Sequence, residues 1–342
     1  MGGEFSQQKI KVVRGTPRQL SSNGRLSKFT YLMMNFPFEC NYRCPKCFGS
    51  EGSKQAASGE MSLDDRVRLI KEAKDLGGKA VVFAGEGEPS LHRGIRTMVS
   101  EVNSLGMVPI VYSNGSVLTG DLVDFYIRMG TTLVISLDSL KAETYGTLTG
   151  NKGDLRAVLS KIAYLRKRYG EVIEEDDEHR IVRLAINVTI NGLNEKEVQV
   201  IRDFCEDDIY FICNPLDKSG NAVKNWDRLV GDEESYKRHI HLARELSESG
   251  GPLTLSGGTC GYSRWGVGVG PYGDYMTCAY TNRTNGLLGN VRDTDLKDAF
   301  EYKHEMESAY YGIHGAAPCL IRSSGFDSHL RELKEKTVIR ES

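Results

Sequence analysis

Cys40, Cys44 and Cys47 are spaced C-x3-C-x2-C within the run 38–48. This spacing brings three thiolates onto one short loop. Thiolates are soft ligands and select zinc, copper or iron–sulfur clusters. A closed structural zinc site takes four ligands. Three cysteines with no histidine close by leave two readings open. One is a 4Fe–4S cluster with a single iron free to bind substrate or cofactor. The other is a zinc knuckle whose fourth ligand lies far along the chain.

A second group of chemically useful side chains sits where short apolar runs end. Phe83-Ala84-Gly85-Glu86-Gly87-Glu88-Pro89 sets Glu88 among glycines. A carboxylate beside exposed carbonyls suits a cation, and glycine lets the backbone approach closely. A plain β–α turn with a helix-capping acid fits this segment equally well. Ser113 and Asn114 follow another apolar run, Ser136 and Asp138 a third, and Asn187, Thr189 and Asn214 occupy comparable places further on. Such groups hold a carboxylate or ribose hydroxyls, or act only as loop caps. Three more cysteines, Cys260, Cys278 and Cys319, lie toward the C-terminal end.

These residues need a scaffold. From about Thr30, short runs rich in Val, Ile and Phe at 29–36, 80–83, 108–112, 132–137, 184–190 and 209–213 alternate with helical patterns. Such runs read as strands buried on both faces, as in a parallel sheet. Ser62-Leu63-Asp64-Asp65 forms a capping box ahead of Val67, Leu69, Ile70 and Ala73, and Gly77-Gly78 closes that helix. Two apolar stripes, Leu155-Val158-Leu159-Ile162-Leu165 and Val198-Ile201-Phe204-Cys205, read as core. Six successive β/α units predict an α/β fold, a partial (β/α)6 TIM-type barrel with its active site at the C-terminal strand ends. The acidic run 171–178 reads as a solvated loop.

Near residue 250 Gly and Tyr become dense and the alternation stops. The expected organisation is an N-terminal arm over 1–28, a barrel over 29–250 and a small C-terminal domain over 251–342. That domain holds a β-hairpin from Val267 to Met276 and a packing helix bearing Leu330, Leu333 and Val338. Gly268-x-Gly270-x-x-Gly273 matches a dinucleotide fingerprint by letter only. It lacks the βαβ context and Pro271 interrupts it, so it reads as the hairpin turn.

The cysteine triad after the first strand, with the Gly-Glu-Pro element after the second, resembles the radical S-adenosylmethionine (SAM) superfamily over roughly residues 29–225. The resemblance implies a 4Fe–4S cluster on Cys40, Cys44 and Cys47, its open iron chelating the amino and carboxylate groups of SAM. It assigns Glu88, with Gly87 beside it, to the methionine amino group, and Ser113, Asn114, Ser136, Asp138, Asn187 and Asn214 to SAM more broadly. Lys46 stands where the family usually has an aromatic residue over the adenine, and Phe48 is the substitute.

Cys260, Cys278 and Cys319 resemble the twitch or SPASM-type extension of these enzymes, which implies an auxiliary 4Fe–4S cluster. The shorter extension often ends in C-x2-C, and here Arg322 takes the second position. The fourth ligand is then missing, non-cysteine or supplied from elsewhere, by Cys213, Asp274 or Asp327. An open iron touching substrate is another reading, and three unrelated buried cysteines the reading without a cluster.

The resemblance further implies reductive cleavage of SAM to methionine and a 5′-deoxyadenosyl radical, which takes a hydrogen atom from an unactivated carbon. The electron donor would be a flavodoxin- or ferredoxin-type protein. The chain resembles aminocyclitol dehydrogenases and aminoglycoside epimerases, so the expected substrate is a small polar sugar or aminocyclitol-like molecule. In an epimerase, Cys213 is the candidate for returning a hydrogen atom; otherwise it is a buried small residue. Tyr262, Arg264, Trp265, Asp217 and Arg183 are candidate substrate contacts. Modification of a ribosomal peptide is the alternative, although 1–28 is short for a peptide-binding domain. A non-catalytic iron–sulfur or zinc protein is the third reading.

Composition narrows the classes. A net charge of −2 over 342 residues leaves no electrostatic footprint for nucleic acid or a membrane surface. No apolar run reaches the roughly 18 residues of a membrane span, and the first residues lack a signal core. Eight cysteines then read as ligands in a reducing cytoplasm.

Overall fold

The computed structural model describes residues 9–21, 25–26, 28–37, 39–49, 59–247, 253, 260–278, 288–315, 319–320, 325–326, 328–329 and 332. Arg322, Asp327, Leu330, Leu333 and Val338 lie outside them.

Eleven strands are described: β1 (Ile10–Val13), β2 (Tyr31–Phe36), β3 (Ala80–Gly85), β4 (Val108–Ser113), β5 (Thr132–Ser136), β6 (Glu174–Glu175), β7 (His179–Val182), β8 (Leu184–Ile190), β9 (Tyr210–Pro215), β10 (Gly266–Val269) and β11 (Tyr275–Met276). The α-helices are α1 (Pro17–Leu20), α2 (Leu63–Asp75), α3 (Ile95–Ser104), α4 (Gly120–Arg128), α5 (Ala142–Leu148), α6 (Leu155–Gly170), α7 (Val198–Cys205), α8 (Asn221–Lys224), α9 (Trp226–Leu229), α10 (Glu233–Leu246), α11 (Gly261–Arg264) and α12 (Leu296–His314).

β2, β3, β4, β5, β8 and β9 are the six expected barrel strands, paired parallel in that order. They form a partial TIM barrel. Alternate residues serve two cores, which is why the runs are apolar throughout. Tyr31, Met33, Val82, Ile110, Val134, Ala185 and Ile212 fill the interior. Leu32, Met34, Phe83, Val111, Leu133, Ile186 and Phe211 join the outer cluster with helix residues such as Leu69, Val99 and Ile162. The capping box forms as read: Ser62 Oγ accepts the Asp65 N–H at 3.1 Å and Asp65 Oδ2 accepts the Ser62 N–H. Cys205 is buried core.

Three regions differ from expectation. Residues 10–20, read as part of a polar arm, carry β1 and α1. β1 pairs parallel with β7, Val13 reaches the interior cluster, and the Thr132 hydroxyl donates to the Arg14 carbonyl at 2.9 Å. The segment thus closes the N-terminal end of the barrel; a four-residue strand is too short to show a period. The acidic run 171–178 is not wholly loop. It contains β6, antiparallel to β7, and Glu175 pairs with Lys9 at 3.0 Å and Arg180 at 2.6 Å. Finally, the hairpin β10–β11 does not stand apart. β10 pairs parallel with β2, making one eight-stranded sheet of order β11-β10-β2-β3-β4-β5-β8-β9. It covers the β2 edge that a partial barrel would leave open. Among the described residues, no helix is long and apolar enough to cross a membrane.

Candidate functional site

At the C-terminal strand ends lies a cavity of about 560 Å³. Its lining includes Cys40, Cys44, Cys47 and Phe48 from the loop after β2, and Gly87 and Glu88 from the loop after β3. Ser113 and Asn114, Ser136 and Asp138, Asn187 and Thr189, and Cys213 and Asn214 come from the ends of β4, β5, β8 and β9. Cys260, Cys278 and Cys319 line the cavity as well. The six candidate cysteine ligands of the two sets and the candidate cofactor-binding residues therefore face one space.

The cysteine loop is held by its carbonyls. The Arg43 guanidinium donates to the carbonyls of Cys40 and Tyr42. The Asn221 N–H donates to the Cys47 carbonyl at 2.9 Å, and Asn225 Nδ2 to the Pro45 carbonyl at 3.3 Å. Two glycines let other loops close on it. A Cβ on Gly87 would stand 2.2 Å from the Pro37 carbonyl oxygen, and one on Gly220, at φ +53°, would stand 2.0 Å from that of Phe48. The sequence reading missed Arg43, Asn221, Asn225 and Gly220. Their contacts cross from one loop to another, and no local pattern marks them.

The eight cysteines, all among the described residues, form no disulfide. Burial pushes Cys44 up to about 12, and Cys47 and Cys260 up to about 11. Neutral thiols of this kind become thiolates when a metal coordinates them. Cys40 Sγ already accepts the Tyr42 N–H at 3.4 Å. Among the described residues, no three His, Cys, Asp or Glu side chains converge closely enough to share one metal ion. Ligands to separate irons of a cluster need no such convergence, and the all-thiolate donor set suits iron–sulfur chemistry.

Glu88 is fully buried, which raises its pKa against the donors that stabilise the anion. Its oxygens accept the N–H groups of Asn114 at 2.7 Å and Ser90 at 3.0 Å. The acid thereby joins the ends of β3 and β4 and lines the cavity. Asn214 Nδ2 donates to Asn187 Oδ1 at 3.0 Å, fixing an amide pair across β8 and β9. Asp138 is committed elsewhere than to solvent: Oδ2 lies 2.9 Å from Lys46 Nζ, and Oδ1 accepts the Thr189 N–H at 2.8 Å.

Tyr262 and Asp217 line the cavity, and Tyr262 packs edge-on against Tyr31 with centroids 4.7 Å apart. The other three candidate substrate contacts do not line it. Arg183 precedes β8, at the opposite end of the barrel, and pairs with Glu174. Arg264 donates to Ser308 and lies over the Tyr311 ring, while Trp265 packs on His304. Their residue types suited a ligand, but no spacing selected them. Of the fourth-ligand candidates, Asp274 sits in the hairpin turn, bonded to Asn290 at 3.0 Å. Cys213 lines the cavity yet belongs to the outer cluster, with Ala243 and Leu246 of α10. Burial, with Asp138 nearby, pushes its thiol up to about 12.

Residues 34–205 match the model of the Radical SAM superfamily. The chain is 32% identical over 147 residues to GTP 3′,8-cyclase of Geobacter sulfurreducens, covering 42% of this chain and 44% of that one. It is 32% identical over 177 residues to the probable GTP 3′,8-cyclase of Thermococcus kodakarensis, covering 51% and 52%. The chain thus spans about half the length of these relatives. Among solved structures, anSMEcpe with bound AdoMet aligns over 91% of this chain and 94% of its own, at TM-score 0.54 and 15% identity. Streptococcus suis SuiB bound to S-adenosylmethionine aligns over 81% and 65%, at TM-score 0.54 and 18% identity. At those identities the likeness is one of fold.

Proposed function

Because this chain belongs to the radical SAM superfamily, we propose that it cleaves SAM reductively and removes a hydrogen atom from a small polar, sugar- or aminocyclitol-like substrate, ending in epimerisation or dehydrogenation. The observation that carries this reading is the single cavity shared by both cysteine sets and the polar strand ends. Cys40, Cys44 and Cys47 would hold the cluster, whose chemistry would be one-electron reduction of SAM to methionine and a 5′-deoxyadenosyl radical. A flavodoxin- or ferredoxin-type protein provides that electron.

The chain's own work is placement and exclusion of water. Glu88, fixed by Asn114 and Ser90, accepts the methionine ammonium. Gly87 allows the backbone to come within reach of it. The Asn187–Asn214 amide pair and Ser136 offer donors and acceptors to hydroxyls. Cys260, Cys278 and Cys319, which line the same cavity, would hold an auxiliary cluster, which would supply an electron acceptor. Asp217 and Tyr262 contact the substrate.

Solvent deuterium separates the two outcomes. With a panel of aminocyclitols and aminosugars, and GTP beside them, an epimerase gives product one mass unit heavier in D2O through an exchangeable donor such as Cys213. A dehydrogenase gives product two mass units lighter than substrate. Release of 5′-deoxyadenosine with a polypeptide alone would overturn the small-molecule reading.

A further inference from the structure

Lys46 lies between two cluster-loop cysteines, Cys44 and Cys47, and its side chain is only 13% exposed. Nζ is 2.9 Å from Asp138 Oδ2 and 3.3 Å from Thr189 Oγ1. Asp138 does not depend on Lys46 for its position. Its Oδ1 accepts the Thr189 N–H at 2.8 Å, and its backbone carbonyl accepts Asn194 Nδ2 at 2.9 Å. Removing the lysine therefore leaves a fixed, buried negative charge beside the thiols. Removing the acid leaves a buried positive one. Both residues line the cavity, where screening by water is weak. Of the other charged residues lining this space, Glu86, Glu88 and Asp217 are acidic and Arg244 is basic, while the Arg43 guanidinium of the same loop is turned onto loop carbonyls.

We infer that Lys46 and Asp138 form a charge-balanced clamp that sets the reduction potential of the cluster carried by this loop. The inference rests on the cofactor reading given above. Reduction adds one electron, drawn from an external donor, and no bond in the protein forms or breaks. A cation close by favours the added negative charge, and an anion opposes it. Lys46 and Asp138 are positioning residues here, acting on the cluster through charge.

The test is a redox titration of the reconstituted full chain, with titanium(III) citrate as reductant. It follows the electron paramagnetic resonance signal that SAM perturbs. In Lys46→Met the reduced-to-oxidised ratio at a fixed potential should fall about tenfold, a shift of about 59 mV for one electron. In Asp138→Asn it should rise by a similar factor. The double variant should lie within about threefold of wild type, because a buried pair replaced together leaves no unbalanced charge. Iron lost from either single variant but kept in the double reports the same imbalance. Singles that shift in one direction, singles that do not shift, or iron lost from all three variants would overturn the clamp. A wild-type protein with no SAM-perturbed signal would instead remove the cofactor reading, and the clamp with it.

Discussion

The Glu88 carboxylate accepts the Asn114 backbone N–H at 2.7 Å, tying the ends of β3 and β4 at the floor of the cavity. Glu88→Gln turns one acceptor oxygen into an NH2 group facing backbone donors. Stability should fall by about 1–3 kcal/mol, and SAM should bind at least about tenfold more weakly, since one charge-assisted contact is worth that factor. Equilibrium dialysis with labelled SAM reads the second effect. Unchanged affinity would show that the acid is only a structural tie.

Gly87 and Gly220 hold the cysteine loop from two sides. Alanine at either position drives a methyl into a carbonyl oxygen of the loop and should cost about 1–3 kcal/mol, with iron lost on gel filtration. Among the described residues, a methyl on Gly312 of α12 would meet no atom within 4 Å beyond its chain neighbours and its own helix backbone, so Gly312→Ala is the control. It should be neutral or stabilising by up to about 1 kcal/mol. Equal behaviour of the three variants would refute the packing account.

His92 Nδ1 accepts the Gly94 N–H at 3.1 Å, which places the ring proton on Nε2. Burial and the neighbouring Arg66 hold the ring down at about 4, against a smaller opposing pull from Glu39, while Glu60 lies 3.7 Å from Nε2. A depressed histidine contributes stability above its unfolded value of 6.5. That contribution drains away as pH falls toward about 4, because the unfolded chain binds the proton first. Urea midpoints of His92→Gln should decline less than wild type across this window. Parallel curves would mean that other groups govern acid lability.

Lys303 and Glu307 are fully buried in α12 and pair at 2.9 Å. Ser263, three residues after Cys260, donates to the same carboxylate at 3.1 Å. Lys303→Met leaves the acid with the more distant Arg264, at 4.0 Å, as counter-charge and should cost about 3–5 kcal/mol, whereas Lys303→Met with Glu307→Leu should recover most of it. Denaturant unfolding of both variants checks this. A double variant as weak as the single would place the cost in packing instead.

Much of the barrel was readable because its strands are buried on both faces. The continuous runs around Val82, Val111 and Ile186 need no partner to be recognised as strands. The site was readable to the extent that it is local: Cys40 to Cys47 and Gly87-Glu88 carry their chemistry in consecutive residues. What escaped depends on the fold. Lys46 looked like a gap in a pattern until Asp138 and Thr189 met it from two other strand ends. β10 gave no sign that it would extend the barrel sheet, because edge pairing with β2 is set by three-dimensional position rather than by either sequence. Arg183 looked like a ligand residue and is instead half of an ion pair with Glu174.

The most direct test of the central claim is anaerobic incubation of the reconstituted protein with SAM and a strong reductant, with iron counted alongside 5′-deoxyadenosine. Wild type should hold about eight irons per chain, two four-iron clusters, and release 5′-deoxyadenosine. Cys40→Ala should release none, whereas Cys278→Ala should still cleave SAM but form no product. Zinc in place of iron, or cleavage by Cys40→Ala equal to wild type, would contradict the account.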